Sequence, residues 1–191
     1  MINQPELSDG TILVRPVRPT DVNAIYEAVL ESMSELRPWM PWCHADYSIE
    51  DTAAWVMSRD EAWARGTDYG FAIRDAQTGA FLGSVGLNQI DHQNHVANLG
   101  YWVRKHSTRR GVATNATLLL ARWSFDALGL QRIEIVASVE NPASLRVALK
   151  AGAHREGIMR RALWLGDRAH DAVLTSLLPE DLNGARDRDG K

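Results

Sequence analysis

The stretch Trp102-Val103-Arg104-Lys105-His106-Ser107-Thr108-Arg109-Arg110-Gly111-Val112-Ala113-Thr114 decides how the rest of the chain is read. An apolar strand ends, a basic loop follows, and a glycine opens the next helix. Backbone N–H groups in the first turn of a helix have no intrahelical acceptor, and the helix dipole adds partial positive charge at the same place. Together they form a site for an anion such as a pyrophosphate. Gly111 keeps a Cβ out of the approach, and Ala113 is small for the same reason. Arg104, Lys105, Arg109 and Arg110 add positive charge. The plainer alternative is a solvated basic loop in front of a capped helix. The string is not a nucleotide P-loop, because Gly-x-x-x-x-Gly-Lys-Ser/Thr is absent, and it holds no Gly-x-Gly-x-x-Gly fingerprint.

Downstream, 112–128 reads as a long helix closed by Gly129, and 131–137 as a strand. Pro142 opens a short helix ended by Gly152. Two last strands, about 155–163 and 170–178, flank a turn at Gly166-Asp167. Upstream, 69–74, 80–90 and 95–103 read as strands of a meander, with turns around Gln77-Thr78-Gly79 and at 91–94. Before them, 11–17 reads as a strand ended by Pro16 and Pro19. Thr20 is expected to cap a helix whose apolar face is Val22, Ile25, Tyr26, Val29, Leu30 and Met33. The prolines of Arg37-Pro38-Trp39-Met40-Pro41-Trp42 forbid regular helix there. Ser48 and Asp51 resemble a capping pair for a helix that runs to Arg65, with Gly66 as its C-cap. The order is a strand, two helices, an antiparallel meander, then βαβ-like units. It implies an α/β or α+β sheet with helices on its faces.

Composition narrows the function classes. The chain has 191 residues and a mass of 21.3 kDa, a length that suits one domain. That domain is expected to span 1–182, with 183–191 as a disordered polar tail. Hydrophobic residues make up 45% and charged residues 24%, enough to bury a core without staples. Cys43 is the one cysteine, so an intramolecular disulfide framework and a thiolate zinc site are both excluded. This usage fits a reducing cytoplasm, which is the expected location. With a net charge of −3 and a pI near 6.1, a basic nucleic-acid binder is not expected. Apolar runs fall well short of a membrane span, and the polar, acidic start is not expected to act as a signal peptide.

A second informative segment is Val139-Glu140-Asn141-Pro142-Ala143-Ser144, just past a strand and at the next helix start. Asn141 is placed as the N-cap. Capping explains Asn and Pro well. Ser144 is harder to explain that way and is a candidate hydroxyl donor.

In this order the two segments resemble the GCN5-related N-acetyltransferase (GNAT) superfamily. Its signature, Gln/Arg-x-x-Gly-x-Gly/Ala at a helix start, reads here Thr108-Arg109-Arg110-Gly111-Val112-Ala113. Thr108 departs from the pattern, a tolerable loss where backbone donors bind the phosphates. Four further strings are similar to the RimJ/RimL-type branch, the ribosomal-protein alanine/serine N-acetyltransferases: Leu36 to Trp42, Asn98-Leu99-Gly100-Tyr101-Trp102-Val103, Asn141-Pro142-Ala143-Ser144, and Arg155-Glu156-Gly157 through His170-Asp171-Ala172-Val173-Leu174.

The resemblance implies a GNAT fold: a twisted, mostly antiparallel sheet of about seven strands, splayed in the middle and flanked by about four helices. The splayed pair would be the strand ending at Val103 and the strand 131–137, with acetyl-CoA entering between them. Backbone groups near Trp102 and Val103 would hold the thioester and pantetheine. Arg104 and the N–H groups of Arg109, Arg110, Gly111, Val112, Ala113 and Thr114 would hold the pyrophosphate. Asn141 would touch the cofactor arm.

The implied reaction is direct attack of a neutral amine on the thioester in a ternary complex, which needs a base and a donor for the departing thiolate. Many members carry a Tyr seven residues after the Asn, where this chain has Ala148. In the RimL-type branch Ser144 would stand by the sulfur instead. Asn98 takes the catalytic position at which relatives often carry Glu, and an amide does not accept a proton at neutral pH. A water chain, or His92 or His95, would then serve as base. As an alternative, both histidines are exposed turn residues. No carboxylate or cysteine completes a metal set with them, so no metal is expected. Trp39 and Trp42, with Tyr47, would wall the acceptor site, or else anchor a core or dimer contact. Trp55, Trp63 and Trp123 sit at helical spacing and read as core. The expected acceptor is a protein N-terminal α-amine. A small amine such as a polyamine or antibiotic is the alternative, for which the Asp46, Glu50 and Asp51 cluster would be suited. A third reading changes the acyl donor to succinyl-CoA, and the non-enzyme reading is a degenerate CoA-binding module. A homodimer is expected.

Overall fold

The computed structural model describes residues 4–182. The expected polar tail lies outside the described residues. Eight strands form one sheet in the order β1-β2-β3-β4-β5-β6-β8-β7. The strands are β1 (Leu7–Ser8), β2 (Ile12–Pro16), β3 (Tyr69–Asp75), β4 (Phe81–Asp91), β5 (Val96–Val103), β6 (Arg132–Ser138), β7 (His154–Leu165) and β8 (Arg168–Leu177). Neighbours are antiparallel except β5 and β6, which run parallel. The short β1 is the strand that the sequence reading lacked.

The helices are α1 (Val22–Leu36), α2 (Ile49–Met57), α3 (Arg59–Arg65), α4 (Val112–Leu128) and α5 (Pro142–Lys150). Two expectations need correction. Thr20 is not a cap. It sits inside a 3₁₀ turn, Pro19–Asp21, and Asp21 stands at the N-cap position of α1, its Oδ2 accepting the Arg18 N–H that opens the turn at 2.8 Å and no N–H of α1. The helix expected from Ser48 to Arg65 is two helices that meet at Ser58. The Ser58 hydroxyl donates to the Trp55 carbonyl at 2.8 Å, a local bond that competes with the helix ladder. The Ser48–Asp51 capping box and the left-handed Gly66 C-cap are both present.

Alternation along the strands divides the core between the two faces of the sheet. On one face Tyr69, Phe71 and Ile73 of β3 pack with Leu87, Leu99, Ile133 and Leu177 under Leu120 and Trp123 of α4. Trp63 stacks edge-on against Tyr69 and Phe71 there, 4.8 and 5.3 Å between ring centroids. On the other face Ala72 and Phe81 pack against Ile25, Val29 and Leu36 of α1 and Val56 of α2. Cys43 is buried in this second cluster.

The feature that positions the site is at the sheet centre. β5 and β6 pair only over Val96–Arg132, Ala97–Ile133 and Asn98–Glu134. Beyond that, β5 stays with β4 as far as Val103, and β6 stays with β8 as far as Ser138. Each half twists with its own partner, so the sheet forks. Beyond the fork point, β5 and β6 present unpaired strand edges to each other, with backbone donors and acceptors available to a ligand.

Candidate active site

A cavity of about 210 Å³ lies in the fork. Asn98, Gly100 and Tyr101 line it from β5, Ile135 to Ser138 from β6, Asn141 and Ser144 from the start of α5, Trp39 from the loop after α1, and Leu163 and Trp164 from β7. The structure therefore brings Asn98, Asn141, Ser144 and Trp39 into one space. No Asp, Glu, Lys or Arg lines it among the described residues.

Asn141 caps α5, its Oδ1 accepting the Ser144 N–H at 3.0 Å. That bond fixes Ser144 in the first turn and leaves the Asn141 Nδ2 to donate elsewhere. The Ser144 hydroxyl lies 3.0 Å from the Tyr101 hydroxyl, which also donates to the Ser144 carbonyl at 2.9 Å. Burial pushes the Tyr101 phenol up to about 12, against the opposing pull of its Ser144 hydrogen bond. Tyr101 is the site residue that sequence reasoning missed. It stood in plain view inside the Gly-Tyr-Trp string, but its reach to Ser144 spans 43 positions. Asn98 Nδ2 donates to Asn88 Oδ1 at 2.9 Å, which directs the remaining Asn98 oxygen away from that bond.

The loop before α4 has the geometry of an anion cradle. Gly111 is its N-cap at φ 79°, a left-handed conformation that glycine adopts freely. A Cβ there would meet only Asn115 Oδ1 at 3.8 Å. The glycine therefore serves the backbone turn. Arg109 is also left-handed, at φ 61°. The N–H groups of Arg109, Arg110 and Gly111 have no acceptor among the described residues. Val112, Ala113 and Thr114 supply the first-turn N–H groups of α4.

The basic side chains divide. Arg104 Nε donates to Glu31 Oε2 at 2.6 Å, and Lys105 Nζ lies 2.8 Å from Glu35 Oε1. Both carboxyls are held below their ordinary range. At Glu31 a burial effect of opposite sign is outweighed by Arg104, and at Glu35 the Lys105 hydrogen bond leads. Arg104 and Lys105 thus anchor the end of β5 to α1, aided by the Lys105 N–H donated to Ser32 Oγ at 2.9 Å. Arg109 and Arg110 are exposed on the cradle. Arg110 also borders a neighbouring hollow of about 200 Å³ with Asp75 and Asn115.

The remaining sequence candidates are placed as follows. Trp102 packs its ring on Trp42 and Phe81, at 6.0 and 5.8 Å, away from the fork. Its backbone pairs with Ser84 of β4, and that of Val103 stands opposite Gly83. Trp42 is 40% exposed and does not line the cavity. It braces Trp102 and Tyr47. His92 and His95 stand in the β4–β5 turn, past the closed end of the fork, and neither lines the cavity. His92 Nε2 donates to the Gly66 carbonyl at 2.9 Å. The His95 carbonyl accepts the N–H groups of Gln131 and Arg132 at 2.8 and 3.3 Å. Asp51 is spent on its capping box, and Asp46 and Glu50 are exposed beside it, off the cavity. No metal-holding group of three or more His, Cys, Asp or Glu side chains occurs among the described residues. No helix among them is long and apolar enough to cross a membrane.

A forked sheet, a cradle of free N–H groups at one end of the cleft and a hydroxyl pair inside it form a set suited to a long anionic thioester and a reaction at its sulfur end. Comparison with known proteins gives the family. Residues 11–154 match the family described as Acetyltransferase (GNAT) domain. The chain is 32% identical over 182 residues to the probable N-acetyltransferase YjcK of Bacillus subtilis, covering 92% of this chain and 98% of that one. It is 27% identical over 158 residues to the ribosomal-protein-serine acetyltransferase of Escherichia coli, covering 83% and 87% of the two chains. The solved structure of Mycobacterium smegmatis RimJ in complex with CoA-disulfide is similar with a TM-score of 0.82 at 26% identity, covering 94% of this chain and 88% of that one. This chain therefore belongs to the GNAT family and is an N-acetyltransferase.

Proposed function

We propose that the protein moves an acetyl group from acetyl-CoA to the α-amine of a protein N-terminus, by direct attack within a ternary complex. One observation carries the choice of acceptor: the cavity in the fork has an aromatic and amide wall and no carboxylate. A polyamine keeps further ammonium groups in the site, and burying these without counter-charge is costly. A peptide N-terminus with a small neutral side chain brings none. The similarity to a ribosomal-protein-serine acetyltransferase supports the same acceptor class, and such an acceptor would place the work in the cytoplasm.

Each residue has a task in this reading. The free N–H groups of Arg109 to Gly111, the first turn of α4 from Val112 to Thr114, and the Arg109 and Arg110 guanidiniums hold the pyrophosphate. The fork-facing edge of β5 near Trp102 and Val103 pairs with the pantetheine amides as a further strand would. Asn141 Nδ2 donates to the same arm. Trp39 walls the acceptor, and Trp42 braces Trp102. Asn98 orients the amine and the water that removes its proton. The amine nitrogen then bonds the thioester carbon, the C–S bond breaks, and the electron pair leaves on sulfur. The Ser144 hydroxyl stabilises that thiolate. A thiolate is an anionic acceptor, and hydrogen bonds to it are stronger than neutral ones. The continuous sheet supports one catalytic domain. The partner expected is a second copy over the β7 edge, where Ile158 and Met159 are exposed.

The test is CoA release from acetyl-CoA, followed by thiol detection, with Ser-, Ala- and Thr-starting peptides beside spermidine and a panel of amine antibiotics. Peptide-dependent turnover is expected. Turnover with spermidine or an antibiotic and none with any peptide overturns the acceptor assignment.

A further inference from the structure

We propose that Tyr101 is a positioning residue whose hydroxyl turns the Ser144 proton toward the departing sulfur. The proposal rests on the reading of Ser144 given above. It starts from proton counting. The Tyr101 oxygen is 2.9 Å from the Ser144 carbonyl oxygen and 3.0 Å from Ser144 Oγ, and a phenol has one proton to give. If that proton goes to the carbonyl, the 3.0 Å contact is a hydrogen bond only when Ser144 donates to Tyr101. The serine proton is then spent, and nothing points at the cofactor. If the phenol donates to Ser144 Oγ, the serine proton is released into the cavity that both residues line.

The two arrangements differ by rotation about two C–O bonds and by no heavy-atom movement. With the site empty, the first satisfies every donor. When the C–S bond breaks, the thiolate becomes the strongest acceptor in the cavity and favours the second. Proton balance is simple. The amine gives up one proton, CoA leaves as the thiol or as thiolate protonated by solvent, and both hydroxyls end the cycle as they began it. Burial keeps the phenol protonated, so Tyr101 remains a donor across the working range. The two residues come from opposite arms of the fork, Tyr101 on β5 and Ser144 on the helix after β6. Their contact therefore depends on how far the fork is open.

The competing structural role is that Tyr101 merely pins the start of α5 through the Ser144 carbonyl. A double-mutant cycle separates the two, because Ser144→Ala removes Oγ and keeps the carbonyl. The cycle is run with acetyl-CoA and the best acceptor from the screen above, measuring kcat, KM for acetyl-CoA and Tm. Tyr101→Phe is expected to lower kcat about tenfold, on the scale of one lost hydrogen bond in the transition state, with KM for acetyl-CoA changed by less than about twofold. In the Ser144→Ala background the same change is expected to be silent. In the Ser144→Thr background, which restores a hydroxyl, its effect is expected to return. An equal factor in the wild-type and Ser144→Ala backgrounds overturns the proposal, as does a silent Tyr101→Phe beside Ser144→Thr. Should Tyr101→Phe unfold the protein, with the Ser144→Ala pair losing the same Tm, the pinning role is the right one and the proposal falls. An undiminished kcat in Ser144→Ala alone instead removes the assignment of Ser144 to the sulfur.

Discussion

Asn98 and Glu134 are the last residues at which β5 and β6 run side by side. One position further, Leu99 of β5 keeps its partner Leu87 on β4, while Ile135 of β6 keeps Thr175 on β8. The cleft is therefore made by the pairings that continue on either side of it, and residues remote from the cleft hold it open.

Gly83 is such a residue. A Cβ built there would stand 2.3 Å from the Trp102 carbonyl oxygen and 2.9 Å from the Val103 Cα. Both are backbone atoms of β5 on its β4-facing side, the strand whose other edge is assigned to pantetheine, and neither can swing aside. Gly83→Ala is expected to cost about 3 kcal/mol, the upper range for overpacking, and to weaken acetyl-CoA binding more than tenfold. Denaturant unfolding and calorimetric titration with CoA check the two effects. Wild-type CoA affinity in a folded Gly83→Ala protein would refute the link between this approach and the cofactor edge.

Charge on the cradle divides between side chains paired with α1 and side chains left exposed. Arg104→Ala is expected to lower stability by roughly 1 kcal/mol through loss of the half-buried Glu31 pair. It should leave the salt dependence of CoA binding unchanged. Arg109→Ala and Arg110→Ala are expected to leave stability nearly intact, raise KM for acetyl-CoA several-fold and reduce its salt dependence. Titrations at two ionic strengths on all three variants distinguish the classes, and an Arg104→Ala effect on the salt slope would reverse the assignment.

Trp39 lines the cavity and Trp42 does not. Trp39→Ala is therefore expected to raise KM for the peptide acceptor about tenfold or more, with KM for acetyl-CoA unchanged. Trp42→Ala should act indirectly, through Trp102, and lower stability as well. Steady-state kinetics with each substrate varied in turn decide this, and a Trp39→Ala change confined to acetyl-CoA would contradict the aromatic wall.

Asp21 is 1% exposed and holds both Arg15, at 2.7 and 2.8 Å, and Arg74, at 2.7 Å. Burial raises its carboxyl pKa, but the Arg15 and Arg18 hydrogen bonds and the Arg15 and Arg74 charges outweigh it, so the net shift is downward. Asp21→Asn leaves Arg15 buried without a counter-charge, which costs about 3–5 kcal/mol. Thermal unfolding should show a drop of about 10 °C or more. A shift below about 2 °C would mean that the pair is not what joins β2, β3 and the entry to α1.

Glu156 carries an acid-dependent part of stability. Its carboxylate accepts from both Arg132 nitrogens and from Ser176 Oγ, each at 2.6 Å. The Arg132 hydrogen bonds lead in drawing its pKa from 4.5 to about 2. The folded value is below the unfolded one, so the contribution is whole above pH 4.5 and fades as pH falls toward 2. The side chain is 37% exposed, which limits the term to about 1 kcal/mol. Glu156→Gln should lower Tm at pH 6 and flatten its slope below pH 4.5, and parallel Tm–pH curves for the two proteins would exclude the pair as the source.

Much of the fold was legible in the sequence. The limits of α4, Val112–Leu128, follow from Gly111 and Gly129, each left-handed at a helix end. The Ser48–Asp51 box and the Asn141 cap are equally local, since cap and capped group lie within three residues. The break at Ser58 was not legible, because the pattern of apolar residues continues through it and only side-chain bonds from Ser58 and Arg59 to the Trp55 carbonyl mark the place. Nor was Thr20's failure as a cap. A buried aspartate one residue on, held by two arginines from other strands, took the position.

The sequence by itself determined the alternation of strands and helices, the caps, and the cradle of backbone donors before α4, because each depends on neighbours along the chain. Only the tertiary structure decided which groups meet. It spends Arg104 on Glu31, 73 positions away, ties His92 to Gly66, and brings Tyr101 to Ser144. Those outcomes depend on the pairing of strands and on where the sheet forks. Two side chains of the same type can then stay exposed or join the scaffold according to which partner the fold places within 3 Å, as Arg110 and Arg104 do on one loop.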